Sequence, residues 1–79
     1  LMEGDMIFYP SLANKYIMAD LSFFDEPMEF IIYDLLGKQI KTGILSKENN
    51  RIDISELTSG FYFLKAGTDW SKVFKFMKK

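Results

Sequence analysis

Apolar and polar residues alternate along most of this chain, and glycine, proline or short polar stretches interrupt the alternation at short intervals. A period of two is typical of β-strands that bury one face. The pattern predicts seven short strands, over residues 6–9, 15–19, 28–34, 38–45, 51–54, 61–66 and 70–77. Because no long stretch has helical periodicity, the sequence predicts an all-β fold, an antiparallel sandwich of about seven strands.

The residues between these strands predict the turns. Pro10 ends the first strand because it has no N–H group to donate to a ladder. Gly37 is expected to take the positive φ that closes a hairpin of three or four residues. Gly43, inside a strand, predicts a β-bulge or bend. Ser55 is expected to cap a single helical turn over residues 55–57.

The alternation also assigns faces to the strands. It predicts a core made of Met28, Phe30, Ile32, Ile40, Ile52, Ile54, Leu57, Tyr62, Leu64, Phe74 and Phe76. The acidic and aromatic stretch 20–27 predicts a loop with Phe23 or Phe24 turned inward. Two strands are apolar on their opposite faces as well, through Ile31, Tyr33, Phe61 and Phe63. Either a loop or terminal segment covers these four side chains, or they form a contact patch for a neighbouring domain or a receptor.

The net charge of −1 conceals a division of the chain. Residues 1–34 contain seven acids and one base, whereas residues 35–79 contain nine bases and four acids. The last strand and its end contain four lysines, Lys72, Lys75, Lys78 and Lys79. These lysines are either solvated or recognised by a partner or an anionic surface. Lys78 and Lys79 are expected to follow the last paired residue, so that their deletion would leave stability nearly unchanged.

The side chains that catalysis usually requires are scarce. The chain has no histidine and no cysteine, which removes zinc sites and the common nucleophile–base pairs. A single domain of 79 residues offers little cleft for paired carboxylates, and the acidic residues between 20 and 26 are interrupted by apolar ones. We therefore expect no enzyme activity, no metal and no cofactor. The absence of an arginine cluster argues against nucleic-acid binding, and no apolar run of 18 residues predicts a transmembrane segment.

Several short motifs occur in a characteristic order. The segment Ile32-Tyr33-Asp34-Leu35-Leu36-Gly37-Lys38 is followed by Ile52-Asp53-Ile54-Ser55-Glu56-Leu57, then by Ser59-Gly60-Phe61-Tyr62-Phe63-Leu64-Lys65 and finally by the lysine-rich strand 72–79. This order, over residues 7–79, resembles the C-terminal sorting domain (type A) of proteins exported by the type IX secretion system of Bacteroidetes.

The resemblance implies a fold, a route and partners. The fold would be an immunoglobulin-like sandwich, and residues 1–79 would form the single sorting domain at the end of a larger protein, because a chain that begins at Leu1 looks like a fragment. The parent protein would pass through the periplasm to the outer membrane. There the type IX translocon would recognise it, and a sortase-like attachment machinery would usually remove the tag and join the cargo to an anionic lipopolysaccharide.

The resemblance also assigns roles to residues. The recognition signal would include Gly60, Tyr62, Lys72, Lys75, Lys78 and Lys79, and structural motif positions would be Pro10, Asp34, Gly37, Ser55 and Leu57. Gly60 is expected to need a backbone conformation closed to other residues. Tyr62 is expected to turn its hydroxyl back to an upstream backbone group, as in the tyrosine corner of immunoglobulin-like folds.

The opening of the chain departs from the family pattern. Such domains usually begin with a Tyr-Pro-Asn-Pro-like segment, whereas this chain has Tyr9-Pro10-Ser11-Leu12, so that only the first proline matches. The departure is compatible with a domain that stays uncleaved on a component of the cell-surface attachment machinery. Two other functions fit the composition. One is a fibronectin-like adhesion or carbohydrate-binding module with an aromatic platform of Tyr33, Phe61, Phe63 and Trp70, and the other is a spacer without a partner.

Overall fold

The fold is all-β and has two sheets. A computed structural model describes residues 6–22, 24–67 and 72–79, which contain eight strands. The strands are β1 (Ile7–Tyr9), β2 (Leu12–Ala13), β3 (Tyr16–Asp20), β4 (Met28–Asp34), β5 (Gln39–Leu45), β6 (Arg51–Asp53), β7 (Gly60–Ala66) and β8 (Lys72–Lys78). The predicted all-β sandwich is confirmed. The predicted residues 70 and 71 of the last strand lie outside the described residues.

The two sheets share the beginning of the chain. The smaller sheet has the order β1-β3-β6, and the larger has the order β2-β8-β7-β4-β5. Pro10 ends β1 as predicted, after a cis Tyr9–Pro10 peptide bond, and the chain then crosses to the other sheet. There β2 pairs in parallel with the end of β8, with Leu12 beside Met77 and Ala13 beside Lys78. The expectation of a wholly antiparallel fold is therefore wrong for β2, a strand too short to show any periodicity.

The core lies between the sheets and is apolar throughout. Its buried members come from nearly every strand: Met6, Phe8, Ala13, Ile17, Ala19, Leu21, Met28, Phe30, Ile32, Leu45, Ile52, Ile54, Leu57, Tyr62, Leu64, Ala66 and Phe76. Nine of the predicted core residues are in this set. Phe74 is only half-buried but packs against the core, and Phe24 does the same from its loop, as predicted for one of the two loop phenylalanines; Phe23 lies outside the described residues.

Ile40 was predicted to lie in the core, and this prediction is wrong because β5 turns the opposite set of alternating residues inward. Ile40 also lies in a β-bulge. Ile32 pairs with Lys41 and Tyr33 pairs with Gln39, so Ile40 is an extra residue without a partner in β4. Alternation from the fully buried Leu45 back along β5 places Ile40 on the outward phase, together with Ile44. Ile40 is accordingly 37% exposed.

Gly43 was expected to mark a bulge or bend, but it pairs regularly with Phe30, and the bulge lies at Ile40. A glycine is needed here because the Phe30 ring covers it. A Cβ atom on Gly43 would lie 2.7 Å from Cε2 and 2.8 Å from Cζ of Phe30, well inside van der Waals contact. Gly43 therefore leaves room for the ring of a core phenylalanine, and it does not mark a break in the ladder.

We expect Gly43→Ala to lower the free energy of unfolding by about 1–3 kcal/mol, since the new methyl group would displace the buried Phe30 ring. Denaturant unfolding measures the change. Thr42→Ala is the matched control, because Thr42 is exposed on the same strand, and it should stay within about 0.5 kcal/mol of the native chain. Phe30→Leu should make Gly43→Ala less costly; additive effects of the two changes would contradict the contact.

Two turns depend on aspartate side chains. The Asp34 carboxylate accepts hydrogen bonds from the N–H groups of Leu36 and Lys38, both at 2.9 Å. Gly37 completes this hairpin with φ of +84°, as predicted. Asp53 accepts from both the N–H group of Ser55 (2.9 Å) and its hydroxyl (2.7 Å).

Ser55 was expected to cap a helical turn, and this is wrong. The segment after β6 is a tight turn closed by a hydrogen bond from the N–H group of Leu57 to the Ile54 carbonyl at 3.0 Å. The capping acceptor is Asp53, and the hydrogen bonds from Ser55 hold the pKa of its carboxyl below the ordinary value. An Asx turn of this kind competes with a helical start, since the aspartate satisfies the N–H groups locally.

Candidate functional site

The predicted signal residues lie on β7 and β8, which are adjacent and antiparallel, except for Lys79, which follows β8. Gly60, at the start of β7, pairs with Lys78, and Tyr62 pairs with Phe76. Gly60 has φ of +146°, a region that is closed to residues with a side chain. The expected conformation of Gly60 is therefore confirmed. Gly60 lies where the chain turns from residues 54–59 into the larger sheet.

Tyr62 forms the corner that its position predicts. Its hydroxyl donates to the Thr58 carbonyl oxygen at 2.7 Å, and its oxygen is 3.2 Å from the Thr58 hydroxyl. The ring is buried and stacks on Phe76, with 5.6 Å between centroids. This hydrogen bond fixes the segment before β7 to the sheet, so Tyr62 acts on the structure of the domain.

We expect Tyr62→Phe to fold with a free energy of unfolding lower by about 1 kcal/mol, because the ring packing remains while one hydrogen bond is lost. Thermal or denaturant unfolding gives the value. Tyr33→Phe, on a half-buried tyrosine of the neighbouring strand, is the matched control and should change stability less. Equal losses in both variants would argue against the corner as the cause.

The four lysines of the closing strand differ in environment. Lys75 points away from the core and is exposed, as predicted from its neighbours Phe74 and Phe76. Lys72 is half-buried on the inward phase of the strand, and Lys79 is exposed.

The sequence predicted that Lys78 follows the last paired residue, but Lys78 belongs to β8. It pairs with Gly60 on one side and Ala13 on the other. Its side chain is 7% exposed, and Nζ donates to the Lys79 carbonyl oxygen at 2.9 Å. The N–H group of Lys79 donates to the Ala13 carbonyl at 2.8 Å. Both terminal lysines therefore contribute to the attachment of β2.

The side of the larger sheet that faces away from the core forms the outer face, defined by Ile31 and Tyr33 of β4, Phe61, Phe63 and Lys65 of β7, and Val73, Lys75 and Met77 of β8. All four residues of the predicted contact patch lie on it. Phe61 is 43% exposed, and the other three are half-buried. Their common placement agrees with the alternation, while their role as a contact remains a prediction.

Lysine side chains lie over two of the aromatic rings. The Lys65 ammonium is 5.2 Å from the Tyr33 ring centroid, and the Lys75 ammonium is 4.8 Å from that of Phe61. Cations in this position are attracted by the ring quadrupole. A sugar would have to displace them to stack on these rings, which disfavours the platform of an adhesion module. Trp70, the fourth predicted platform residue, lies outside the described residues.

Sequence reasoning missed Lys65, Val73 and Met77 as members of the outer face. The signal for Lys65 was available, since it follows Phe61 and Phe63 at a spacing of two. Val73 and Met77 alternate with Phe74 and Phe76 in the same way, but their exposure of 52% and 39% makes them surface residues despite their apolar character.

Several acidic side chains have structural partners: Asp20, Asp25, Asp34, Asp53 and Glu56. Hydrogen bonds from Ser22 lower the pKa of Asp20, and the hydrogen bond from Lys41 lowers that of Glu56. Over the described ranges, no three aspartate or glutamate side chains group as a metal site would require. The same part of the chain has no helix long and apolar enough to span a membrane.

Comparison with known proteins gives one result. A family model described as a secretion system C-terminal sorting domain matches residues 7–79, nearly the whole chain. No curated protein and no solved structure matches significantly.

Proposed function

The chain belongs to the C-terminal sorting domain family of type IX secretion, and from that premise we propose that residues 1–79 direct a larger parent protein through the periplasm to the outer-membrane translocon. Domains of this family are signals for export to the cell surface or the extracellular space, and the family is not one of enzymes. The recognition residues are the exposed side chains of β7 and β8, foremost Lys75.

The observation that carries this proposal is the combination of the family match with the geometry of β8. Phe76 fixes the strand in the core, while Val73 and Lys75 point outward and are exposed. A folded domain therefore presents part of its last strand to a partner without unfolding. Gly60, Tyr62, Lys72 and Lys78 support the shape of this surface, and Lys79 lies at its end.

We further propose that this domain stays uncleaved on a component of the sortase-like attachment machinery. The support is the departure at Ser11 and Leu12 from the usual second proline. These residues join the domain body: the Ser11 carbonyl accepts from the N–H group of Met77 at 2.7 Å, and Leu12 lies beside Met77 in β2. The exposed Leu12 side chain adds an apolar group next to the outer face.

A reporter fusion tests both statements. Residues 1–79 are attached to the C-terminus of a neutral reporter with a periplasmic export signal, in a Bacteroidetes host. We expect the reporter on the cell surface or in the medium, with its mass still including the domain. Periplasmic retention would contradict the sorting function, and surface delivery at the mass of the reporter alone would contradict retention of the tag. The same fusion with Phe76→Ala, which should destabilise the core by about 3–5 kcal/mol, is the control for folding.

A further inference from the structure

The outer face combines a broad apolar surface with two cations, each of which lies over an aromatic ring. Phe61, Val73 and Met77 are all more than one third exposed. Lys65 lies beside Val73 in the ladder, and Lys75 beside Phe63. Large exposed apolar patches on small domains usually mark interaction sites.

The two lysines of this face have no carboxylate partner among the described residues. Ion pairs in that part of the chain join Lys41 to Glu56 at 3.0 Å and Lys47 to Asp25 at 3.2 Å. Lys65 and Lys75 instead lie over the Tyr33 and Phe61 rings. A cation over a ring retains hydrogen-bond donors for a further, anionic partner.

Beside these lysines is a shallow groove that would take an apolar side chain. It has a volume of about 450 Å³ and is lined by Tyr33, Asp34, Leu35, Gly37, Phe63, Lys65 and Val73. The Asp34 carboxylate already accepts hydrogen bonds from the N–H groups of Leu36 and Lys38. An apolar side chain in the groove would bring a carboxylate one or two residues away within reach of Lys65. The face therefore fits a surface on which acidic and apolar residues alternate.

The charges disfavour two other occupants. Among the described residues of this face, a second copy of the chain would bring four lysines together against two copies of Glu29, the exposed acid of β4 on the same side. Insertion of this face into a lipid surface would bury both ammonium groups together with the aromatic rings that they cover. Protein faces that bind membranes instead have their cations at the edge, where they reach the headgroups.

We propose that the outer face docks an acidic, apolar protein surface of the export machinery, with Lys65 and Lys75 pairing its carboxylates. This proposal rests on the proposed sorting function and names the partner chemistry of the same strands. Electrostatic complementarity of this kind sets the orientation of a complex and suppresses wrong partners.

Photo-crosslinking in the reporter fusion tests it. A benzophenone amino acid replaces Val73 on the outer face or, as the control position, Tyr16 of the smaller sheet, where Arg51 lies 4.1 Å above the ring. From Val73 we expect a crosslink to a component of the export machinery, mapped by mass spectrometry to a segment that contains Asp or Glu among apolar residues. From Tyr16 we expect none.

Charge reversal then separates this proposal from the sorting function. The double variant Lys65→Glu, Lys75→Glu should reduce the Val73 crosslink at least about tenfold, with a nearly unchanged melting temperature. The control variant Arg51→Glu should leave the crosslink intact. The double variant Lys65→Arg, Lys75→Arg, which keeps both charges, should preserve the crosslink. If the native domain is delivered and the double Glu variant crosslinks from Val73 as strongly as the native domain does, the docking proposal alone is overturned. A Val73 crosslink to a second copy, to lipid or to a basic segment also overturns it. Failure of the native fusion to be delivered overturns the sorting function and, with it, this docking.

Discussion

Gly60→Val is expected to lower the free energy of unfolding by about 3 kcal/mol, the upper end of the cost of a forbidden backbone conformation. At φ of +146°, a β-branched side chain collides with its own backbone. A domain of this length has about 4–12 kcal/mol of stability in total. The melting temperature should therefore fall by about 12–24 °C, as thermal unfolding followed by circular dichroism would show.

The cause of this loss is separable from crowding. Apart from its own backbone and its two chain neighbours, nothing lies within 4 Å of a Cβ built on Gly60, so Gly60→Ala should cost nearly as much as Gly60→Val. Ser59→Val, at the exposed preceding residue, should change stability by no more than about 0.5 kcal/mol. A stable Gly60→Ala variant would show that the turn does not depend on glycine.

Deletion of Lys78 and Lys79 is expected to cost about 2–4 kcal/mol. It removes the buried methylene stem of Lys78, which contributes about 0.8 kcal/mol per CH₂ group, and the hydrogen bond from Lys79 to Ala13, worth about 1 kcal/mol. The pairing of β2 with β8 would weaken, since the remaining bond of this pair outside the ladder joins Met77 to Ser11. Denaturant unfolding of the truncated and complete chains measures the loss.

Substitutions at the same strand distinguish the packing of Lys78 from its charge. Lys78→Met keeps an unbranched apolar stem and should stay within about 1 kcal/mol of the native chain. Lys75→Gln, on the exposed side, should be nearly neutral in stability. If the truncation is as stable as the native chain, Lys78 does not anchor β2. Because the truncation perturbs the fold, loss of export in it would not identify a signal, whereas loss of export in Lys75→Gln would.

Features decided by local chemistry could be predicted from the sequence. The glycine of the hairpin after Asp34 and the hydroxyl bond of Tyr62 both depend on residues within four positions along the chain. The faces of β4 and β7 also followed from alternation, since these central strands contact the core over their whole length. The sorting family followed from the order of such motifs.

Features decided by distant pairing could not be predicted. Ile40 is exposed because the pairing of β5 with β4 turns Leu45 inward, and the sequence leaves this choice open, since Ile40 and Ile44 lie on one face of the strand and Leu45 lies on the other. Lys78 is buried because β2 lies on the far side of β8, and a two-residue strand leaves no periodic signal. The prediction that Ser55 caps a helical turn was wrong for a different reason. Asp53, two residues earlier, accepts the hydrogen bond from the N–H group of Ser55 in the same turn.

The outer face was predicted only in part. The apolar residues Ile31, Tyr33, Phe61 and Phe63 follow from alternation. The positions of Lys65 and Lys75 above two of the rings depend on the register of β7 against both neighbours, which the sequence does not contain. The proposed chemistry of the partner therefore depends on the placement of the strands and not on the sequence pattern alone.

The delivered fraction of the reporter fusion in two otherwise identical hosts, with and without the outer-membrane type IX translocon, tests the sorting function most directly. A sorting signal for this translocon would give surface or medium delivery in the intact host. In the other host, delivery would fall to the level of the untagged reporter, with a matching rise in the periplasm. Equal delivery in both hosts would contradict the sorting function.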